Sequence, residues 1–290
     1  MPAGGCGYVL IMTVALGTYG IWRHAGGLTP ELAGEVEALG FGALWIGGSP
    51  PGDLALAESL LDATDHLAVA TGIVNMWSTP AAEVAASYHR IEAAHPGRFL
   101  LGVGIGHPEA TSDYRRPYAT IVDYLDALDV AGVPVAGRAL AALGPRVLAL
   151  SAERTAGAHP YLTTPEHTRE ARALLGDGVL LAPEHKVVID TDAERARAVG
   201  RPVVRTPYLG LRNYTANLLR LGWSDDDVAD GGSDRLIDAL VAHGDAAAVA
   251  ARLTEHLDAG ADHVCAQILT DGMRDPVPAM RALAEALRLR

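Results

Sequence analysis

Apolar and polar positions along this chain follow two alternating rhythms. Short apolar runs bounded by glycine, proline or aspartate read as buried strands. Between them, apolar residues return every third or fourth position, the period of an amphipathic helix. The runs predict eight strands, at 13–16, 43–46, 67–73, 99–103, 139–143, 157–159, 185–189 and 263–269. A helix opens at Thr29-Pro30, with Thr as N-cap and Pro in the first turn, and it stops at Gly40. Its residues Leu32, Val36 and Leu39 share one face. Others begin near Asp53, at Thr79-Pro80 (burying Val84, Tyr88 and Ile91), near Tyr118 and at Gly144-Pro145-Arg146. One more starts at Asp245, with Val249, Leu253 and Leu257 on a face closed by Gly260. Residues 201–243 break the rhythm: they are polar and partly helical, with Asp225-Asp226-Asp227 and Gly231-Gly232, and read as an insertion between the seventh and eighth strands. Eight strand-then-helix repeats predict an α/β fold, a single (β/α)8 TIM barrel over 12–290; five or six would give an open doubly wound sheet. Residues 1–11, with three glycines ahead of Met12, read as a flexible leader or an extended start.

Composition narrows the function more than the fold. The 290 residues are 49% hydrophobic but only 5% aromatic, which suits an aliphatic barrel. A net charge of -12, from 35 acidic and 23 basic residues, argues against nucleic acid or an anionic membrane as a partner. Cys6 and Cys265 support no disulfide framework, so a reduced, cytoplasmic setting is expected. The apolar stretch 8–16 lacks a preceding base and is broken by Thr13, so it reads as neither a signal peptide nor a membrane span.

Candidate chemistry concentrates at the predicted strand exits, the active face of a barrel. The fourth strand runs into Gly104 and Gly106, whose missing Cβ atoms let a flat ligand approach the backbone, and then into His107 and Glu109. His107 titrates near neutrality and suits proton transfer; Glu109 orients it or caps the next helix. Asn75 can pair with a pyrimidine-like ring edge or serve a turn, and Trp77 can wall the substrate side. Gly144-Pro145-Arg146 suits phosphate through a guanidinium and a helix N-terminus. His159, Thr163 and Thr164, after the sixth strand, offer polar groups for the same phosphate or a coenzyme tail. Trp22, Arg23 and His24 follow the first strand and border the substrate or belong to an ordinary loop. His185, Lys186 and His263 read as structural. No His-x-His follows the first strand, where Gly17-Thr18-Tyr19 stands, and His89 and His95 lack ligand partners, so no metal is expected.

Three segments together carry a resemblance: Ala70-Thr71-Gly72-Ile73-Val74-Asn75, Gly97-Arg98-Phe99-Leu100-Leu101-Gly102-Val103-Gly104, and Ala259-Gly260-Ala261-Asp262-His263-Val264. In these the chain, from Met12 to its end, resembles the bacterial luciferase-like superfamily, and most closely its actinobacterial branch using the deazaflavin coenzyme F420. The resemblance implies a barrel with an insertion, often a homodimer, holding a deazaflavin or flavin at the strand C-termini. It also implies a non-proline cis peptide at Gly72-Ile73 beneath the ring, with Val74 and Asn75 completing the bulge. Sugar-phosphate dehydrogenases of the family carry a catalytic His after strand two and a Glu after the strand-four glycines. Gly48 and His107 stand at those positions here, so a different small-molecule substrate is expected, with acid-base work at strand four. The resulting expectation is an F420-dependent oxidoreductase; the alternatives are an FMN-dependent luciferase-type monooxygenase and a non-catalytic flavin-binding scaffold.

Overall fold

Side-chain size separates the two faces of the strands. On the first three, Trp22, Ala43, Trp45, Ala68 and Ala70 point inward, while Ile21, Leu44, Ile46 and Val69 point outward to the helices. Small residues on the inner face leave room for two indoles within one closed cylinder. A computed structural model describes residues 14–107, 116–272 and 275–290; the expected leader at 1–11 and the candidate Glu109 lie outside them.

The strands are Tyr19–His24 (β1), Ala43–Gly47 (β2), Ala68–Gly72 (β3), Val74–Asn75 (β4), Phe99–Gly104 (β5), Arg138–Leu140 (β6), Gly157–Ala158 (β7), Leu180–Leu181 (β8), Glu184–Ile189 (β9), Val241–Gly244 (β10) and Val264–Ile268 (β11). The helices are Pro30–Ala38 (α1), Ala55–Asp62 (α2), Ala81–Ala94 (α3), Pro117–Val130 (α4), Pro145–Arg154 (α5), Pro165–Leu175 (α6), Ala193–Arg205 (α7), Arg212–Arg220 (α8), Asp225–Val228 (α9), Asp234–Leu240 (α10), Ala246–Asp258 (α11) and Val277–Ala286 (α12). All ladders between strands are parallel, in the order β10-β9-β11-β1-β2-β3-β5-β6-β7-β8, with β4 also pairing β5. Only Ala182 and Pro183 separate β8 from β9. Across that break the Ala182 and Glu184 amides donate to the Ala158 and Pro160 carbonyls, both at 2.9 Å. β8 and β9 are thus one nearly continuous strand, so the cylinder closes between β7 and β11, with β10 lying beside β9. The cylinder is the (β/α)8 barrel.

Strand assignments differ from expectation in several places, and β8 falls outside every expected run. The first strand is not 13–16 but Tyr19–His24, so Trp22, Arg23 and His24 belong to the strand and not to a loop after it. Residues 14–16 instead lead in beneath the barrel, with Leu16 packed in the inner cluster with Trp45 and Cys265. Their aliphatic character comes from burial at the barrel's lower end, which mimics a strand pattern. Within the span expected as a polar insertion, β10 pairs with β9 from Val241↔Lys186 to Gly244↔Ile189. Helices α8 to α10 precede it and form a core of their own with α7, built on Val204, Leu211, Tyr214, Leu218, Leu236 and Ile237.

Candidate active site

At the exit of β3 the peptide bond between Gly72 and Ile73 is cis, where the resemblance puts it. Val74 is buried behind it and pairs with Val103. The glycines around this ledge face the chain's own side chains. A Cβ on Gly104 would lie 2.9 Å from both Ile73 Cγ1 and Ala141 Cβ; one on Gly106 would lie 2.7 Å from Asn75 Nδ2. On Gly48 it would meet His24 Nε2 at 2.4 Å, and on Gly47 Trp22 Cζ2 at 1.9 Å. Local packing therefore accounts for the missing side chains at these positions. Gly48, expected in the substrate pocket, makes room for the imidazole of His24 from the neighbouring strand.

Asn75 Oδ1 accepts from the Trp77 backbone amide at 2.9 Å, closing an Asx turn that fixes the chain after β4. His107 leaves β5 by Ile105-Gly106 and is partly exposed. Its Nδ1 stands 3.2 Å from Asn213 Oδ1 on α8, and its ring packs 5.3 Å from that of Tyr214. The segment that breaks the sequence rhythm thus reaches the predicted acid-base residue.

At the exit of β6, the strand beside β5, Gly144 precedes α5 in extended conformation with open space where a Cβ would stand, and Pro145 begins the helix. Arg146 does not project alone: its guanidinium lies 3.6 Å over the Tyr118 ring. Thr163 and Thr164 precede α6, and Thr164 is its N-cap but makes no side-chain capping bond. Both residues are at most 2% exposed, and both hydroxyls lack a hydrogen-bond partner. Thr164 also lines an open groove of about 320 Å³ that carries Arg235, Arg252 and Glu166. A larger groove of about 580 Å³ lies at the other end of the barrel, beside Thr155, Leu180 and Asp262, away from every strand exit.

His159 was expected on this rim with the threonines. Its imidazole lies instead inside the barrel, stacked on Trp45 with ring centroids 4.0 Å apart and an interplanar angle of 14°. Burial pushes its pKa down to about 4, so it is neutral. Trp22 also points inward, its ring 5.1 Å from that of Tyr161.

Sequence reasoning missed the polar centre of the barrel. Lys186 Nζ donates to Glu184 at 3.2 Å, with both side chains fully buried, and sits 3.9 Å above the Tyr161 ring. Burial pushes the lysine pKa down and the glutamate pKa up, while their mutual attraction opposes both shifts. Tyr208 donates to the Tyr161 hydroxyl at 3.1 Å, and Tyr161 to Gln267 Oε1 at 2.8 Å. The signal for this centre was the Glu-x-Lys spacing at the start of β9, since charges two apart on a strand share one face. His185, between them, faces outward and meets His256 Nε2 at 2.9 Å; His263 accepts from Trp45 Nε1 at 3.0 Å. Both are packed inside the fold, as the structural reading expected.

Residues 13–131 match the family of luciferase-like monooxygenases. No curated protein matches the chain. Among solved structures it is similar to an F420-dependent secondary alcohol dehydrogenase in complex with an F420-acetone adduct, at 16% identity over 93% of this chain and 99% of that one, with a TM-score of 0.73. The F420-dependent tetrahydromethanopterin reductase of Methanopyrus kandleri matches at 16% identity over 95% and 100%, with a TM-score of 0.69. So does the oxygenating constituent of 3,6-diketocamphane monooxygenase from Pseudomonas putida, in complex with FMN, at 13% identity over 95% and 97% and a TM-score of 0.67. The sequence match covers residues 13–131, and the chain shares its barrel fold with these structures.

Proposed function

We propose that this chain is an F420-dependent oxidoreductase that moves a hydride between the deazaflavin and a small organic substrate. The observation that carries the reading is the pair of buried, unpartnered hydroxyls on Thr163 and Thr164 at the start of α6. A helix N-terminus with two unsatisfied hydroxyls suits a phosphate, and it opens on the same end of the barrel as the Gly72-Ile73 ledge. The residues fit the coenzyme in kind: Thr163, Thr164 and Gly144 would hold its phosphate, and Ile73 and Val74 would back its ring. Bound there, the deazaflavin supplies two-electron hydride chemistry. The chain supplies orientation through the ledge, exclusion of water through Tyr208 and Tyr214, and a proton at His107 to accompany the hydride.

The second reading, an FMN-dependent monooxygenase, is favoured by the description of the matching family. Titration of the purified chain with F420 and, separately, FMN distinguishes the two. The proposal expects F420 to bind, with at least about tenfold weaker binding in Thr163→Val/Thr164→Val. Tight FMN uptake without deazaflavin binding overturns it. Binding without turnover across a broad substrate panel favours the scaffold.

A further inference from the structure

The open groove beside the start of α6 is lined by Thr164, Glu166, Trp223, Arg235 and Arg252, from α6, the turn after α8, α10 and α11. Thr164 is 2% exposed, and its hydroxyl has no hydrogen-bond partner. As N-cap of an eleven-residue helix it would ordinarily accept from the second or third amide of the first turn, yet it makes no such bond. Pro165, at the first position, has no N–H to offer. The amides of Glu166 and His167 are thus left without the acceptor that a threonine N-cap supplies. The positive end of the helix dipole stands at the same place.

Two cations line the same groove, and neither is used up by its carboxylate partner. Arg252 on α11 gives one nitrogen, Nη1, to Glu255 at 2.6 Å. Arg235 on α10 gives one nitrogen, Nη2, to Asp227 and lays its guanidinium 4.5 Å over the Trp223 ring. Each guanidinium carries five N–H groups in a planar fork, so most of each fork has no acceptor among the described residues. Glu166 is the one carboxylate among the described lining residues, and it is exposed. A hydroxyl, a helix N-terminus and two guanidinium groups offer more donors than the two oxygens of a carboxylate can take. They suit the three oxygens of a phosphoryl group.

We propose that this groove is a phosphoryl site in which Arg235 and Arg252 supply the counter-charge. The sequence pointed to Arg146 for that role, but its guanidinium is laid over Tyr118. In the groove the phosphoryl oxygens accept from Thr164 Oγ1–H, from the first-turn amides of α6 and from the two forks, while Glu166 opposes them. The inference rests on the oxidoreductase reading only for calling that phosphoryl group the coenzyme's. Free phosphate has the same chemistry, and the test separates the two sources.

The 15N-labelled chain, without coenzyme, is titrated with sodium phosphate and, at matched ionic strength, with sodium chloride and sodium acetate. The Glu166 amide and Trp223 indole resonances are expected to shift and saturate with phosphate, and to respond weakly or not at all to the other two anions. Arg252→Gln and Arg235→Gln, made separately so that one poorly folded variant does not decide the result, should each weaken phosphate binding about tenfold. Glu166→Gln should tighten it about threefold by removing a repulsion. If phosphate moves neither resonance, if acetate or chloride binds as tightly, or if the three substitutions leave its affinity unchanged, the proposal fails. F420 is then titrated with and without saturating phosphate. Weaker coenzyme binding in phosphate makes the coenzyme's phosphoryl group the occupant; equal binding overturns that source and assigns the groove to free phosphate. Failure of F420 to bind at all sinks the coenzyme reading instead, and the phosphate titration still decides the groove.

Discussion

His107, at the exit of β5, meets Asn213 on α8 at 3.2 Å, across 106 residues of sequence. The contact ties the mouth of the barrel to a segment that otherwise packs in its own cluster with α7. A part-exposed hydrogen bond of this kind contributes about 0.5–1.5 kcal/mol. Asn213→Ala should therefore speed amide hydrogen exchange along α8 by about two- to tenfold, leaving β1 and β2 unchanged. Exchange along α8 equal to that of the unsubstituted chain would show that Tyr208 and Tyr214 alone seat this segment.

Gly47 and Gly144 should behave oppositely when given a methyl group. At Gly47 the new Cβ would lie 1.9 Å from Trp22 Cζ2 inside the closed barrel. Overpacking of a filled core costs about 1–3 kcal/mol, so Gly47→Ala should lower the denaturant midpoint distinctly. Truncating the clashing ring as well, in Gly47→Ala/Trp22→Ala, should cost less than the two single changes added together. At Gly144 nothing lies within 4 Å of the Cβ position and φ is -83°, so alanine should be nearly neutral for stability. Urea titration of these four variants beside the unsubstituted chain decides the matter.

The contrast between these glycines shows what was legible in the sequence and what was not. The outward faces of the strands, with Leu44, Ile46, Val69, Leu101 and Val103, announce themselves by aliphatic alternation, and they gave the barrel. Glycine is ambiguous, because its reason lies in whatever stands opposite. Gly104 and Gly106 read as a cradle for a ligand, while their neighbours are Ile73 and the Asn75 amide. Residues 14–16 read as a strand because plugging a barrel and lining one need the same side chains. Residues 208–217 read only as part of an insertion, because their contacts with Tyr161 and His107 join positions far apart in sequence and no local period encodes them. Lys186 was visible as a charge in an apolar run, yet assigning it to the barrel's interior required the register of β9.

Lys186 and Glu184 are fully buried partners, and their removal should be strongly asymmetric. Lys186→Met leaves a carboxylate in the barrel with only the Leu162 amide, 3.1 Å away, to hydrogen-bond it. Breaking a buried pair this way costs about 3–5 kcal/mol. Replacing both partners, in Lys186→Met/Glu184→Leu, removes the stranded charge and should recover most of that loss. A double-mutant cycle by chemical denaturation reads the coupling directly. Additive losses would mean that the two charges do not depend on each other.

Stability should fall on mild acidification because the fold buries histidines in neutral form. Burial pushes His159 and His263 down to about 4, and His256 to about 3. The unfolded chain takes up protons at these side chains below about pH 6.5, whereas the folded chain resists until about 4. Between those limits the unfolded state binds more protons, so stability rises with pH across the window and is lost as pH falls through it. Each group contributes up to about 1.4 kcal/mol per pH unit there. Above pH 7 these groups add no slope. Carboxylates whose pKa is lowered, such as Asp238 beside Arg197, act in the same direction but only below their unfolded range, near and under pH 4. In the interval from 4.5 to 6.5 the histidines therefore supply the rising slope, against which the buried Glu184, its pKa pushed up by burial, works in the opposite direction. Replacing His256 with Gln, which cannot titrate, should flatten the dependence of the denaturation midpoint on pH in that interval. An unchanged slope would mean that His256 is already charged inside the fold, contrary to its burial between Thr168 and His185.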